Sequence, residues 1–431
     1  MDVVRKIFLS SILLSAFTAC NAHDTTTGNG QFSSSDKAAC TSTEIKSRFI
    51  VKWKSGKITN ESAEDRDHFL NGFMTQNSDQ IEFAEHDHMI HIDTRESSQA
   101  TIAALSQLPI TWGQNMVQAP AAWAEGANGS GIIVAVVDSG MDYTHPQLVN
   151  QVYLNAGEMG TDAGGKDKSS NGIDDDKNGY IDDFHGYNFA DDDNPATPQA
   201  GNNPMDTNEH GTHVSGIIAA QHSAGPIQGM AERAKILPLR FINASGAGSV
   251  SGAIAAIQYA VAAHAKVINA SWGGDACSVA LQNTVAQLES QGVMFVAAAG
   301  NGDSSGRGLN LDITPSYPAA FGFPGQITVL ATTELDAQAE FSNYSFTLTQ
   351  MGAPGVGIVS TVPGGTKSLD GTSMATPFVT GAAALLFGLN PSATVAQVKN
   401  ALVKSINLTQ VADSAGGRLN VKKAVDLFKS M

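Results

Sequence analysis

Ser373 lies in Gly371-Thr372-Ser373-Met374-Ala375-Thr376-Pro377, a run of mostly small residues that leads straight into the apolar stretch Phe378 to Leu389. This pattern predicts a tight turn entering a buried helix. One hydroxyl would then sit at a helix N-terminus, where unpaired backbone N–H groups and the positive dipole end favour developing negative charge. Val136-Val137-Asp138-Ser139-Gly140 supplies a carboxylate at the end of an apolar run. Glu209-His210-Gly211-Thr212-His213-Val214-Ser215-Gly216 supplies an imidazole opening a small-residue helix. A hydroxyl is a weak nucleophile unless a base takes its proton, and the base works best when a carboxylate fixes its tautomer. Asp138, His210 and Ser373 are therefore the parts of an acyl-transfer triad. An imidazole with an ordinary pKa near 6.5 suits a base working around neutrality. His213, one turn further on, is expected to pack beside the site and not to act in it.

In the order Asp, His, Ser, these segments resemble the catalytic blocks of the subtilisin-like serine proteases, and Ala297-Ala298-Ala299-Gly300-Asn301-Gly302 resembles that family's oxyanion-hole segment. The likeness covers residues 112 to 431. It implies that the Asn301 side chain and the Ser373 N–H bind the tetrahedral oxyanion, although Asn-Gly alone is also a turn signal. It also implies a polypeptide substrate bound as an added strand. Ser271, Trp272, Gly273 and Gly274 would line one wall of the principal pocket, and Ala298, Ala299 and Gly300 the other. These walls carry no charge, which favours an apolar or unselective pocket.

The acidic run Asp174-Asp175-Asp176-Lys177-Asn178-Gly179-Tyr180-Ile181-Asp182-Asp183 is the second chemical signal. Oxygen ligands alternate, with glycine at the turn, as in the first three quarters of an EF-hand calcium loop. Asp174, Asp176, Asn178 and Tyr180 are the expected calcium ligands, Tyr180 through its backbone carbonyl. His185 stands where the bidentate Glu belongs, so Asp182 or Asp183 would have to close the shell. A solvated acidic loop is the alternative. A different calcium site common in the family is not expected, because Gln147 stands where a carboxylate is usual.

These groups need a rigid frame. Apolar strand candidates at 132–137, 236–241, 267–270, 293–298 and 327–331 alternate with helix candidates at 214–221, 249–264, 278–290, 372–389, 395–404 and 421–429. Buried strands with crossover helices imply an α/β fold with a mostly parallel sheet covered on both faces. Such sheets place catalytic groups at strand C-terminal ends, where Asp138 and Asn301 stand. Residues 45–112 read differently. Arg48 to Lys54 and Ile81 to Ile92 alternate like strands, while Ala63 to Met74 and Gln99 to Leu108 look helical. This β-α-β-α pattern resembles the inhibitory propeptide that precedes such domains, which implies an autoprocessed precursor. The catalytic domain is then expected over 113–431. His86, His88 and His91 are read as exposed strand residues.

The chain has 431 residues, 42% hydrophobic and 15% charged, with 41 acidic against 25 basic side chains. That is enough apolar content for a large core, and the charge balance argues against nucleic-acid binding. Arg5-Lys6 precede the apolar run Ile7 to Phe17, a signal-type segment too short to span a bilayer. It ends Phe17-Thr18-Ala19-Cys20, resembling a bacterial lipobox, so residues 1–20 read as a signal with Cys20 as the lipid attachment point. Asn21 after the cysteine favours the outer membrane, and an ordinary cleaved secretory signal is the alternative. Residues 21–44 read as a flexible tether. Cys40 lies in that tether, and Cys277 is expected to be a buried or loop thiol with no disulfide framework. The enzyme is expected to be monomeric. Two rival readings are a catalytically silent binding protein, disfavoured by the filled catalytic positions, and an α/β-hydrolase esterase. The esterase fold would order its triad Ser, Asp, His within Gly-x-Ser-x-Gly, which Ala375 breaks.

Overall fold

The computed structural model of the protein describes residues 26–27, 44–92, 95–191, 201–414 and 416–431. The signal, the lipobox cysteine and most of the tether lie outside the described residues. The chain forms two compact units. The described part of the first runs to Met89 and includes Asp275–Asn283; the second comprises Ile90–Gly274 and Thr284–Met431.

In the first unit, β1 (Glu44–Trp53) lies between β2 (Ile58–Ser62) and β3 (Ile81–His91), both antiparallel to it. The intervening helical stretch begins at Arg66, later than the apolar pattern suggested, because Asp65 caps it by accepting the His68 N–H. Phe49, Val51, Phe69, Met74, Ile81 and Ala84 form the core, with the Phe49 and Phe69 rings stacked at 3.9 Å. His86 and His88 are buried at 6% and 7% exposure, contrary to the expectation of exposed residues. The strand pattern gives alternation, but β3 is covered on both faces. Glu85 on β3 accepts the Ser278 hydroxyl and the N–H groups of Val279 and Ala280, and burial pushes its carboxyl up to about 7. Cys277 corrects a second expectation: it is disulfide-bonded and not a free thiol.

The second unit is built on a nine-stranded sheet. Its strands are β5 (Ile133–Asp138), β6 (Tyr187–Asn188), β7 (Lys235–Arg240), β8 (Val267–Ala270), β9 (Met294–Ala298), β10 (Gln326–Thr332), β11 (Met351–Pro354), β14 (Asn407–Leu408) and β15 (Gly417–Arg418), in the spatial order β14-β15-β11-β10-β9-β8-β5-β7-β6. All neighbours are parallel except β14 and β15. A smaller antiparallel sheet holds β4 (Arg95–Glu96), β12 (Ile358–Val362) and β13 (Gly365–Asp370), the last two joined at Pro363-Gly364. The central strands are continuous apolar runs because helices bury both faces. The sequence pattern stopped β10 at its apolar residues, yet Gln326 joins it because its amide donates to the carbonyls of Pro318 and Ala319. The helices used below are α1 (Gln99–Leu105), α2 (His210–Ala219), α3 (Val250–Ala262), α4 (Val279–Gln287) and α5 (Thr372–Leu389). Helix α3 packs on β5 and β7, and α5 packs on β8 to β11 and on α2. Among the described residues α5 is the one helix long and apolar enough to cross a membrane, and it is buried in the core.

Candidate active site

Asp138 is the last residue of β5, where the sheet ends and the chain turns. Its Oδ1 accepts the Ser139 N–H at 2.7 Å and faces His210 Nδ1 at 2.8 Å, with both side chains fully buried. A carboxylate at that distance fixes Nδ1 as the protonated nitrogen and leaves Nε2 as the base. Among the described residues, His210 Nε2 has no hydrogen-bond partner. Burial opposes the imidazolium, but the Asp138 charge and hydrogen bond, joined by Asp206 and Glu209, outweigh it. The His210 pKa is therefore raised above 6.5.

Two glycines bring β5 and α2 this close. A Cβ on Gly211 would lie 2.1 Å from the Gly140 carbonyl oxygen, and Gly140 itself has φ +106°. Asp206, which the motif reading missed, ties the junction together. It accepts the Ser139 hydroxyl, the N–H groups of Asn208 and Glu209, and both the N–H and hydroxyl of Thr212. An acidic residue just ahead of a helix start is a capping signal that could have found it. His213 is buried, directs Nε2 at the carbonyls of Ile358 and Lys367, and is pushed down to about 3 by burial. It is a neutral packing residue.

Ser373 is the second residue of α5 and is buried. Its hydroxyl donates to the Ser271 carbonyl at 3.0 Å, so it is not hydrogen-bonded to His210. The serine is held from the same side by a second bond, in which the Ser271 hydroxyl donates to the Ser373 carbonyl at 3.0 Å. Pro377 explains why that carbonyl is free. It stands four residues on and has no N–H to complete the helical bond. Ser271 follows β8, which pairs with β5 through Asn269 and Val136, so Ser271 and Asp138 both leave the sheet at the same end.

Asn301 follows β9. Gly300 and Gly302 take positive φ, at +98° and +79°, and Asn301 does not, so the glycines and not the asparagine make the turn. Asn301 Oδ1 accepts the Thr372 N–H and the Thr372 hydroxyl, both at 2.9 Å. Its amide nitrogen is thereby oriented away from Thr372, and Thr372 is a further residue that motif reading missed. The Thr372 hydroxyl also accepts the Gly300 N–H at 3.1 Å.

The seven expected pocket residues divide by role. Ser271 holds the serine, as above. Trp272 is only 3% exposed; its indole N–H donates to the Val137 carbonyl and its ring meets Phe241 edge-on, so its side chain is core and not pocket wall. Gly273 forms an antiparallel bridge with His91, and Gly274 pairs with Tyr317. Ala298 and Ala299 are buried, and the Gly300 carbonyl accepts the Asn343 N–H. The chain's own segment lies along this edge. His91 bridges Gly273 and the Ile92 N–H donates to the Gly246 carbonyl. Beyond, Arg95 and Glu96 pair with Asp370 and Leu369, and Ser97 donates to Asp370 at 2.6 Å.

The acidic loop gathers Asp174, Asp176 and Glu158, whose carboxylate oxygens lie within 4.8 Å of one another. Glu158 is fully buried and its Oε2 has no hydrogen-bond partner among the described residues, although it sits beside two carboxylates. A cation between them answers both problems, so these residues fit a hard divalent ion. The loop leaves no room for a larger neighbour: a Cβ on Gly157 would lie 2.4 Å from Asp176. Asn178 stays in the cluster, its amide reaching Asp176 and Asp183. The Tyr180 ring packs edge-on against Tyr187 and Tyr259. Asp182 turns away to accept the Gly172 N–H, and Asp183 is occupied by Asn155, Asn178 and the Tyr259 hydroxyl. The third carboxylate gathered at the cluster is Glu158, brought from upstream of the loop. His185 stacks on Tyr143 at 4.5 Å. Gln147 donates its amide to the carbonyls of Gln221 and Ile227, presenting donors where a cation needs acceptors.

Comparison with known proteins agrees with this geometry. The model of the Subtilase family, Peptidase S8, matches residues 129–423. Subtilisin NAT of Bacillus subtilis subsp. natto is 34% identical over 75% of this chain and 69% of its own length. Subtilisin of Bacillus pumilus is 35% identical over 68% of this chain and 90% of its own. Subtilisin Savinase of Lederbergia lenta is 37% identical over the same shares, 68% and 90%. With a strand-end carboxylate on a helix-borne imidazole, a serine at the mouth of a core helix and this match over most of its length, the chain belongs to the subtilase family of serine-type endopeptidases.

Proposed function

We propose that this endopeptidase cuts peptide bonds with Ser373 as nucleophile, His210 as general base and acid, Asp138 as the carboxylate that orients the imidazole, and Asn301 with the Ser373 N–H as oxyanion donors. The observation that carries the reading is the buried Asp138–His210 pair, whose Nε2 has no hydrogen-bond partner among the described residues. Rotation of the Ser373 hydroxyl from the Ser271 carbonyl toward Nε2 would complete the relay; such bonds often tighten only with substrate present. Attack on the carbonyl carbon transfers the serine proton to His210. Collapse breaks the C–N bond and returns that proton to the leaving amine, and water then releases the acid. The oxyanion would sit between the Asn301 amide, fixed by Thr372, and the N-terminus of α5.

The enzyme is made as a precursor that processes itself, and its first substrate is its own chain. Support comes from the strand pairing of His91 and Ile92 on one side of the site and of Arg95 and Glu96 on the other. Only three peptide bonds separate these anchors, so the bond cut first lies between Ile92 and Arg95, upstream of the boundary near residue 112 that the sequence pattern suggested. Calcium held by Glu158, Asp174 and Asp176, with Asn178 near, would brace the loop against carboxylate repulsion and take no part in the chemistry. Export from a bacterial cell, with Cys20 lipidated at the outer membrane or the signal simply removed, remains the reading of the N-terminal sequence. Ser373→Ala tests the central claim. The variant should stay full-length on a denaturing gel while the parent is cut, and Edman sequencing of the parent's new N-terminus should begin at Asp93, Thr94 or Arg95. Normal processing of the variant would exclude Ser373 as nucleophile.

A further inference from the structure

We infer that after processing the N-terminal piece stays covalently attached to the catalytic domain through Cys277. The observation is the disulfide on Cys277, at the head of the α4 segment. The chain has three cysteines, Cys20, Cys40 and Cys277, so the partner is Cys20 or Cys40. Both precede every bond at which the precursor can be processed, whether between Ile92 and Arg95 or near residue 112. Cys277 lies downstream of all of them. Hydrolysis adds one water across a peptide bond and leaves the S–S bond untouched, so the two pieces part in sequence but not in mass. This inference rests on the proposed self-processing. Lipidation of Cys20 consumes its sulfur, which leaves Cys40 as the partner.

The fold agrees with a lasting link. Asp275–Asn283 belongs to the same compact unit as the N-terminal strands, so Cys277 is embedded among the piece that processing separates from it in sequence. Glu85 accepts three hydrogen bonds from Ser278, Val279 and Ala280, directly after Cys277. Once the backbone is cut, non-covalent contacts of any kind would let the piece dissociate on dilution. A covalent tether replaces the bulk concentration of the piece with an effective concentration of order millimolar, independent of dilution. Release then needs reduction, in which two thiols of a reductant are oxidised to a disulfide while the two cysteine sulfurs take up two electrons and two protons. Exported proteins meet an oxidising environment in which such a bond persists.

The test compares the purified full chain on denaturing gels with and without dithiothreitol. The processed parent should run as one species of precursor mass without reductant and as two fragments with it, and Cys277→Ser should give two fragments in both lanes. Two fragments from the parent without reductant would overturn the tether. Because Cys277→Ser removes a structural bond, the disulfide is also mapped in the unprocessed Ser373→Ala precursor. There, a peptide containing Cys277 should be recovered joined to one containing Cys40. Alkylation of Cys277 by iodoacetamide in the denatured, unreduced precursor would overturn the inference. A parent found uncut in both lanes contradicts self-processing instead, and the mapping still decides the bond.

Discussion

Thr372→Val isolates how Asn301, the proposed oxyanion donor, is positioned. Valine keeps the shape of threonine but removes the hydroxyl that donates to Asn301 Oδ1 and accepts from Gly300. The Thr372 N–H still holds Oδ1 at 2.9 Å, so the amide loses one of its two restraints. A neutral hydrogen bond is worth about 1 kcal/mol net. If all of it is felt in the transition state, kcat falls about fivefold, since about 1.4 kcal/mol is a factor of ten. Asn301→Leu removes the donor itself and should cost about a hundred- to a thousandfold, a range taken from a subtilisin, a relative of this protein. The double variant should be no slower than Asn301→Leu alone, because Thr372 has then nothing to orient. The assay is steady-state hydrolysis of a chromogenic peptide by the processed enzyme, reading kcat and KM separately. Wild-type kcat in Thr372→Val, or additive losses in the double variant, would refute the positioning argument. Loss of the Gly300 acceptor also lowers stability by about 1–3 kcal/mol, so rates must be compared well below the melting point.

Because Asp138 raises the His210 pKa above 6.5 and the base must be neutral, kcat/KM should rise with pH through that raised pKa. Asp138→Asn should move this acid limb to lower pH and cut kcat about 10⁴-fold; a limb that stays in place in a pH–rate profile would exclude the pair as its source. Calcium should raise the melting temperature of the Ser373→Ala precursor; Glu158→Gln should abolish most of that gain, while Asp182→Asn should keep it. Binding to the native state alone adds RT ln(1 + [L]/Kd), about 2.7 kcal/mol at a hundredfold excess over Kd. A calcium response unchanged by Glu158→Gln in calorimetry would remove that residue from the site.

The sequence by itself determined the four chemical blocks and the α/β alternation, because their signals are local. Asp138 ends an apolar run, Gly211 follows the histidine it must bring close, and Ser373 stands at the opening of a long apolar helix. Each constraint acts within a few residues, where backbone sterics and capping are decided. The acidic loop was legible for the same reason, as a spacing of oxygens around Gly179.

Only the tertiary structure decided which distant side chains meet. Glu158 reaches Asp174 and Asp176 because the chain folds back, and no spacing rule ties a buried carboxylate to a loop it precedes. Trp272 reads as pocket wall by its place in a motif, yet alternation along the chain turns its ring to Phe241 in the core. The reciprocal pair of hydrogen bonds between Ser271 and Ser373 needs β8 and the start of α5 side by side, with Pro377 leaving one carbonyl open. Burial of His86 and His88 likewise depends on what packs over β3. Periodicity encodes which way a side chain points; what it meets there is set by the packing of elements far apart in sequence.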